Sequence, residues 1–354
     1  MNTTIHTYVR TSALPRYVLA GCIAAALTAC GGGGGGGSAT VGTSTTTTPV
    51  AQTAAQASTI NNSAPSTPTY AAGSEELKAF NVLNAERTKC GFGSLAQNVK
   101  LDAAALAHAN YLKINMPKGA PFGHTEDLVN YPTGFTGTSP GERVNAAGYM
   151  PLGVGENATG IFTTPAGLDS WSVRDLLSGP FHLRSMMGIY REVGIGIQQV
   201  TTTAGASVFD LGVPTSSSIQ DQASDEVLTY PCEGSNNVVA ALYGETPSPL
   251  PSRDLQRIPL GAPIFIRVRV GNTLVISDAT MRNTATNTAV VLRSAAQTKL
   301  DSPVYSNYFG NNEAYVIPDA KLELNTSYTV TVTGTNNGVA FTRTFTFKTT
   351  SVLV

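Results

Sequence analysis

A mixed α+β domain followed by an all-β sandwich is the fold that this sequence of 354 residues predicts. Three observations carry the expectation. Segments of helical period alternate with short β-prone runs between 74 and 212, period-two strands fill the stretch beyond 245, and Pro247, Pro249 and Pro251 stand between the two textures. At about 150 residues per domain, the length suits two domains with additional segments. An apolar share of 42% can build two cores, which excludes wholesale disorder. The 22 basic and 23 acidic residues leave a net charge of −1, without the basic excess of a nucleic-acid binder. No apolar run reaches about 18 residues, so no membrane-spanning helix is expected.

Taken in order, the chain begins with Arg10 and Arg16 ahead of the run Tyr17–Ala29. That run is too short to span a bilayer and has the length of a secretory h-region. It closes on Leu27-Thr28-Ala29-Cys30-Gly31, which resembles a bacterial lipobox. Residues 1–29 then read as a signal peptide, with Cys30 as the lipidated N-terminus of the mature protein. An ordinary signal peptide ending near a cysteine is the alternative. Several acyl chains, at about 0.8 kcal/mol per buried CH₂, would anchor the protein to a membrane of the bacterial cell envelope. Glycine after Cys30 is compatible with sorting to the outer membrane in a Gram-negative cell.

Residues 30–73 hold the glycine run Gly31–Gly37 and then Ser/Thr/Ala-rich sequence, a composition that cannot fold. They read as a tether with a reach of roughly 35–40 Å. Of the four cysteines, Cys22 leaves with the signal and Cys30 is lipidated, so Cys90 and Cys232 remain as one pair. A disulfide between them suits an oxidising compartment, two separate buried thiols being the alternative. Loss of Arg10 and Arg16 would leave 20 basic against 23 acidic residues, a net charge of −3.

The first folded domain is expected over 74–235. Ser74 can cap a helix with Glu75 and Glu76 in its first turn, and Leu77, Phe80, Leu83 and Asn84 share one face. A second helix reads over Asp102–Leu112, a third over Ala166–Leu177, and strands over Glu192–Gln198 and Ala206–Gly212. Pro117–Gly141 reads as loops. The second domain, 245–354, opens on Ile264, Ile266, Val268 and Val270 alternating with Phe265, Arg267 and Arg269, a half-buried strand. Asn337-Gly338 sets a hairpin between Tyr328–Val332 and Phe341–Phe347. About 110 residues of short strands read as an immunoglobulin-like sandwich.

Catalytic signatures are absent: there is no GxSxG, HExxH, P-loop or CxxC. Three histidines survive maturation. His108 shares the apolar face of the second helix and reads as a hydrogen-bonded core residue. His124, in Phe122-Gly123-His124-Thr125-Glu126, and His182, in Ser178-Gly179-Pro180-Phe181-His182, read as loop residues, as does Glu156 in Gly155-Glu156-Asn157. Loop histidines and carboxylates on a rigid scaffold are common site material.

Together these segments resemble a known family. Asn84 and Arg87, Leu101–Ala109, Gly123-His124, Arg143 with Gly148-Tyr149, Gly155-Glu156-Asn157, Ser178–His182 and Val193-Gly194-Ile195-Gly196 follow the order of the CAP superfamily, the cysteine-rich secretory, antigen 5 and pathogenesis-related 1 group. The resemblance covers 74–200 and continues more weakly to Cys232. It implies an α-β-α sandwich whose cavity is lined by two histidines and two acids. His124, Glu156 and His182 fall on three of these positions. The fourth has no clean counterpart, Asp169 and Asp175 being the nearest acids, and the usual tryptophan is replaced by Leu176. Two imidazoles and a carboxylate facing one cavity would suit zinc or another divalent cation. The family implies binding of lipid, a small ligand or a protein partner rather than a shared reaction. The last domain resembles bacterial Ig-like modules through Leu324–Tyr328 and Phe345–Thr350, and would serve as a spacer or adhesive module. A metal-assisted hydrolase and a purely structural envelope protein are the alternatives, the enzyme reading being weakened by the incomplete tetrad and the missing nucleophile.

Overall fold

In the computed structural model, the structure describes residues 67–352, together with the backbone of two short strands, Thr7–Arg10 and Ala51–Gln52. The expected lipidation site Cys30 and most of the expected tether lie outside the described residues, and of the expected signal peptide only the backbone of Thr7–Arg10 is described. Helices and three sheets are present together, so the chain is a mixed α and β protein. No helix among the described residues is long and apolar enough to cross a membrane.

Helix α1, Glu75–Lys89, starts where the sequence predicts, with Ser74 Oγ accepting the Leu77 amide at 3.1 Å. Helix α2, Val99–Asn115, is longer than its apolar period suggested because Asn98 caps it by accepting the Lys100 amide. Strand β1, Ala96–Gln97, precedes it. Helix α3, Pro140–Ala146, overlaps the end of the stretch expected to be loop at Pro140 and Gly141, and is started by a capping box between Ser139 and Glu142. Strand β2, Pro151–Thr159, is followed by α4, Trp171–Leu176, and α5, Pro180–Met186. The expected helix over 166–177 forms only in its second half, because Pro165 and Gly167, the latter at φ +89°, shape a turn ahead of it. Strands β3, Glu192–Gln199, and β4, Gly205–Pro214, match expectation to within two residues at each end.

These strands lie in the order β2-β4-β3-β1, antiparallel except for β1 against β3. Helices cover both faces. Leu101, Ala105, Ala109 and Leu112 of α2 pack with Val154, Ala158 and Val208 on one face, while α1, α4 and α5 pack on Val193, Ile195, Phe209 and Leu211 on the other. Gly194 and Gly196 let α2 lie directly on β3: a Cβ on either would stand 2.0 Å and 2.2 Å from helix backbone atoms.

The remaining strands build two facing sheets. One runs β10 (Leu292–Arg293), β11 (Glu313–Pro318), β7 (Ile264–Arg267), β5 (Leu228–Tyr230). The other runs β9 (Ala289–Val290), β8 (Leu274–Asn283), β12 (Ser327–Asn336), β13 (Val339–Thr349), with β6 (Ser235–Val238) beside β13. The β12–β13 hairpin turns at Asn337-Gly338, both in the left-handed region at φ 49° and 80°, as the sequence predicts.

The pairing of these strands bears on the expected organisation. Strand β5, inside the expected first domain of 74–235, pairs with β7, and β6, which starts at its last residue Ser235, pairs with β13. The second unit is not all-β, because α6 (Ala295–Asp301), capped by Ser294, and α7 (Tyr305–Tyr308) interrupt it; both are too short to show a period in sequence. Finally, β7 is buried on both faces. Ile264 and Ile266 face the sandwich core, while Phe265 joins a cluster that includes Leu83, Phe92, Phe181 and Met186 of the first unit. The two units therefore share one continuous apolar core. The Cys90–Cys232 disulfide is formed and joins the end of α1 to the turn between β5 and β6.

Candidate functional site

The sheet carries a dense set of buried polar side chains, grouped about two histidines. Glu156 sits in mid-strand on β2 rather than in a loop, and is 0% exposed. His124 comes from the loop after α2, and its Nδ1 donates to Glu156 Oε1 at 2.7 Å. Arg143 of α3 donates to Glu156 Oε2 at 2.6 Å. Asp210, directly across from Glu156 in the β2–β4 register, lies beside the same carboxylate. His108 of α2 places Nδ1 3.0 Å from Glu126 Oε1 and Nε2 2.8 Å from the Gly123 carbonyl. Both partners only accept, so both ring nitrogens donate, which is the pattern of an imidazolium. Nε2 is also 3.9 Å from Glu156 Oε1, so His108 belongs to this network instead of pointing away from it.

The charges close among themselves. Burial pushes the Glu156 carboxyl up, but Arg143, His108 and His124 outweigh it and hold the group well below the usual carboxylate range. Asp210 goes the other way: burial, then the charge of Glu156, push it well above that range, so it stays neutral and donates its proton to Glu156. Burial lowers His124 to about 4 against the opposing pull of Glu156, leaving a neutral imidazole. The Glu156 carboxylate is thus matched by the Arg143 guanidinium at 2.6 Å.

His182 stands near this network but has its own carboxylate. It lies on α5 rather than in a loop, and is 1% exposed. Its Nδ1 donates to Glu245 Oε1 at 2.7 Å, and its backbone N–H donates to the same oxygen at 2.8 Å. The Phe181 amide donates to Glu245 Oε2 at 3.3 Å. His182 Nε2 is buried and makes no hydrogen bond among the described residues. Asn157, one residue beyond Glu156, donates to Ser185 Oγ at 3.0 Å, one helical turn from His182. The charge of His182 acts on His124, so the two imidazoles share an electrostatic neighbourhood.

Neither acid nearest in sequence holds His182. Asp169 pairs with Arg174 at 2.6 Å and caps the Ser170 amide. Asp175 is buried, accepts from Thr159 Oγ1 at 2.7 Å, and is raised by that burial. The partner is Glu245, which sequence reasoning missed because nothing between 235 and 250 carries a pattern pointing back to α5. Asp210 did leave a signal: it is the lone acid in the apolar run Ala206–Gly212.

Each of His124 and His182 hands Nδ1–H to a carboxylate, which is how metal-binding imidazoles are commonly oriented. The carboxylates themselves are committed to those imidazoles. Among the described residues, no three His, Cys, Asp or Glu side chains are arranged to hold a metal ion. Of the expected cavity residues, Glu156 stands behind His124, and the carboxylate behind His182 is Glu245. Neither a family model nor a curated protein matches the chain.

Proposed function

We propose that the chain is a lipid-anchored protein of the bacterial cell envelope whose first unit, of CAP type, binds a small ligand or divalent cation at His182 and His124. Cys30 carries the anchor and the tether lifts the folded part off the membrane. The second unit is of Ig-like type. The observation that carries the reading is the pair of buried histidine–carboxylate contacts, His124–Glu156 and His182–Glu245, at 2.7 Å each. Burying such groups is costly unless their geometry is kept, and the cost is unexplained by packing alone. The order of helices and strands and the two helical layers about the sheet agree with the CAP resemblance. Zinc is the cheapest probe. Calorimetry at neutral pH on the mature chain should show zinc uptake that disappears in the His124→Ala/His182→Ala double variant. Equal uptake by the folded double variant, or none by wild type, overturns the cation reading.

A further inference from the structure

We infer that Glu245, from the segment that joins the two units, is the positioning residue of His182, so that the second unit completes the site instead of serving as a spacer. The inference rests on the proposed binding role of His182 for its functional weight, but not for its geometry.

Four observations converge on it. One carboxylate oxygen takes both the ring Nδ1–H and the backbone N–H of His182, at 2.7 and 2.8 Å, which fixes the ring relative to its own main chain. Because a carboxylate only accepts, Nδ1 carries the proton and the lone pair is placed on Nε2. That nitrogen is buried and has no hydrogen-bond partner among the described residues. The backbone is shaped to admit the carboxylate: a Cβ on Gly179 would stand 2.6 Å from Glu245 Cδ and Oε1.

The helix that carries His182 is also held by the second unit. Glu245 is 5% exposed and lies where the units meet. Phe181 packs in tilted ring contacts on Tyr308 and Phe309, with centroids 4.7 and 6.0 Å away. Arg184, two residues beyond His182, donates to Glu313 of β11 at 2.8 Å. The α5 segment is therefore gripped by the second unit on both sides of the histidine. A role as a helix cap alone would explain the two backbone contacts, but would leave the ring free to choose its tautomer.

The test uses the full mature chain with zinc as probe, and variants Glu245→Ala and Glu245→Gln beside His182→Ala. Losing the carboxylate behind a metal-binding imidazole typically weakens affinity 10–100-fold. Glu245→Ala should show a loss of that size and Glu245→Gln a smaller one, since an amide oxygen still accepts the Nδ1 proton. Imidazole ¹⁵N NMR should show His182 as the Nδ1–H tautomer in wild type, and a shift toward Nε2–H in Glu245→Ala. If zinc binding is absent in wild type or survives His182→Ala, the binding role fails, and the tautomer alone decides on Glu245. An unchanged tautomer in folded Glu245→Ala, judged by near-UV circular dichroism, overturns the inference. So does zinc affinity within about twofold of wild type in that variant when His182→Ala abolishes binding. Should Glu245→Ala not fold, the same two readings are taken on Glu245→Gln against Gly179→Ala, which displaces the carboxylate without removing it.

Discussion

Glu156 and Asp210 are two carboxyls in one buried place, and they can coexist only because they hold one proton between them. This sets the sign of a pH dependence. A carboxyl raised by folding stabilises below its ordinary value, and that contribution is lost as pH rises through the folded value. His124 acts oppositely. Lowered from 6.5 to about 4, it contributes stability above 6.5 that is lost as pH falls toward 4. The size is roughly 3 kcal/mol at 1.36 kcal/mol per unit. Asp210→Asn keeps the neutral shape and cannot ionise. Its stability relative to wild type should therefore rise steadily from pH 5 to 8 in urea titrations, while His124→Gln should flatten the acid limb between 6.5 and 4. A pH-independent difference for Asp210→Asn would mean that Asp210 is ionised in the native protein.

At the scale of elements, the contact of α2 with β3 is the one most tightly specified by sequence. Gly194 and Gly196 alternate with buried Val193 and Ile195, so one face of the strand is flat where the helix backbone rests. Gly194→Ala places a Cβ 2.0 Å from Leu101 C and should destabilise by about 3 kcal/mol or more. Gly153→Ala meets nothing within 4 Å and should change stability by less than about 0.5 kcal/mol. Equal costs in chemical denaturation would show that α2 does not sit on Gly194. Elements with an apolar period or a clear cap, such as α1, β3 and β4, were legible in the sequence for this reason. Strand β2 was not, because Gly153, Gly155, Glu156 and Asn157 look like loop and only their burial makes them strand. Short α3, α5 and α7 offer too few turns to show a period. The histidines and Glu156 could be picked out as a group through the family resemblance. Glu245 could not, since its approach to α5 depends on how the two units pack.

That packing decides how the whole molecule should behave. Phe92 stacks near Phe265 at 6.0 Å, and the cluster they belong to runs from α1 and α5 through β5 and β7 to Tyr305 and Tyr315. Arg267 of β7 donates to the Met187 carbonyl and to Asp221 at 3.3 and 3.1 Å, so a buried charge of the second unit is neutralised by the segment leaving the first. Cys90–Cys232 crosses the same boundary, with a sequence separation of 142. Neither unit can open without exposing apolar surface and polar groups of the other. Two beads on a string would melt in two steps. Here calorimetry of the oxidised protein should give one transition whose calorimetric and van't Hoff enthalpies agree. Cys90→Ser/Cys232→Ser should keep that single transition while losing about 2–5 kcal/mol, the usual size for a native bridge. Two resolved transitions in the oxidised protein would show that the shared core does not couple the units, and that the α5 segment is not tied to the second unit through Arg184 and Glu313.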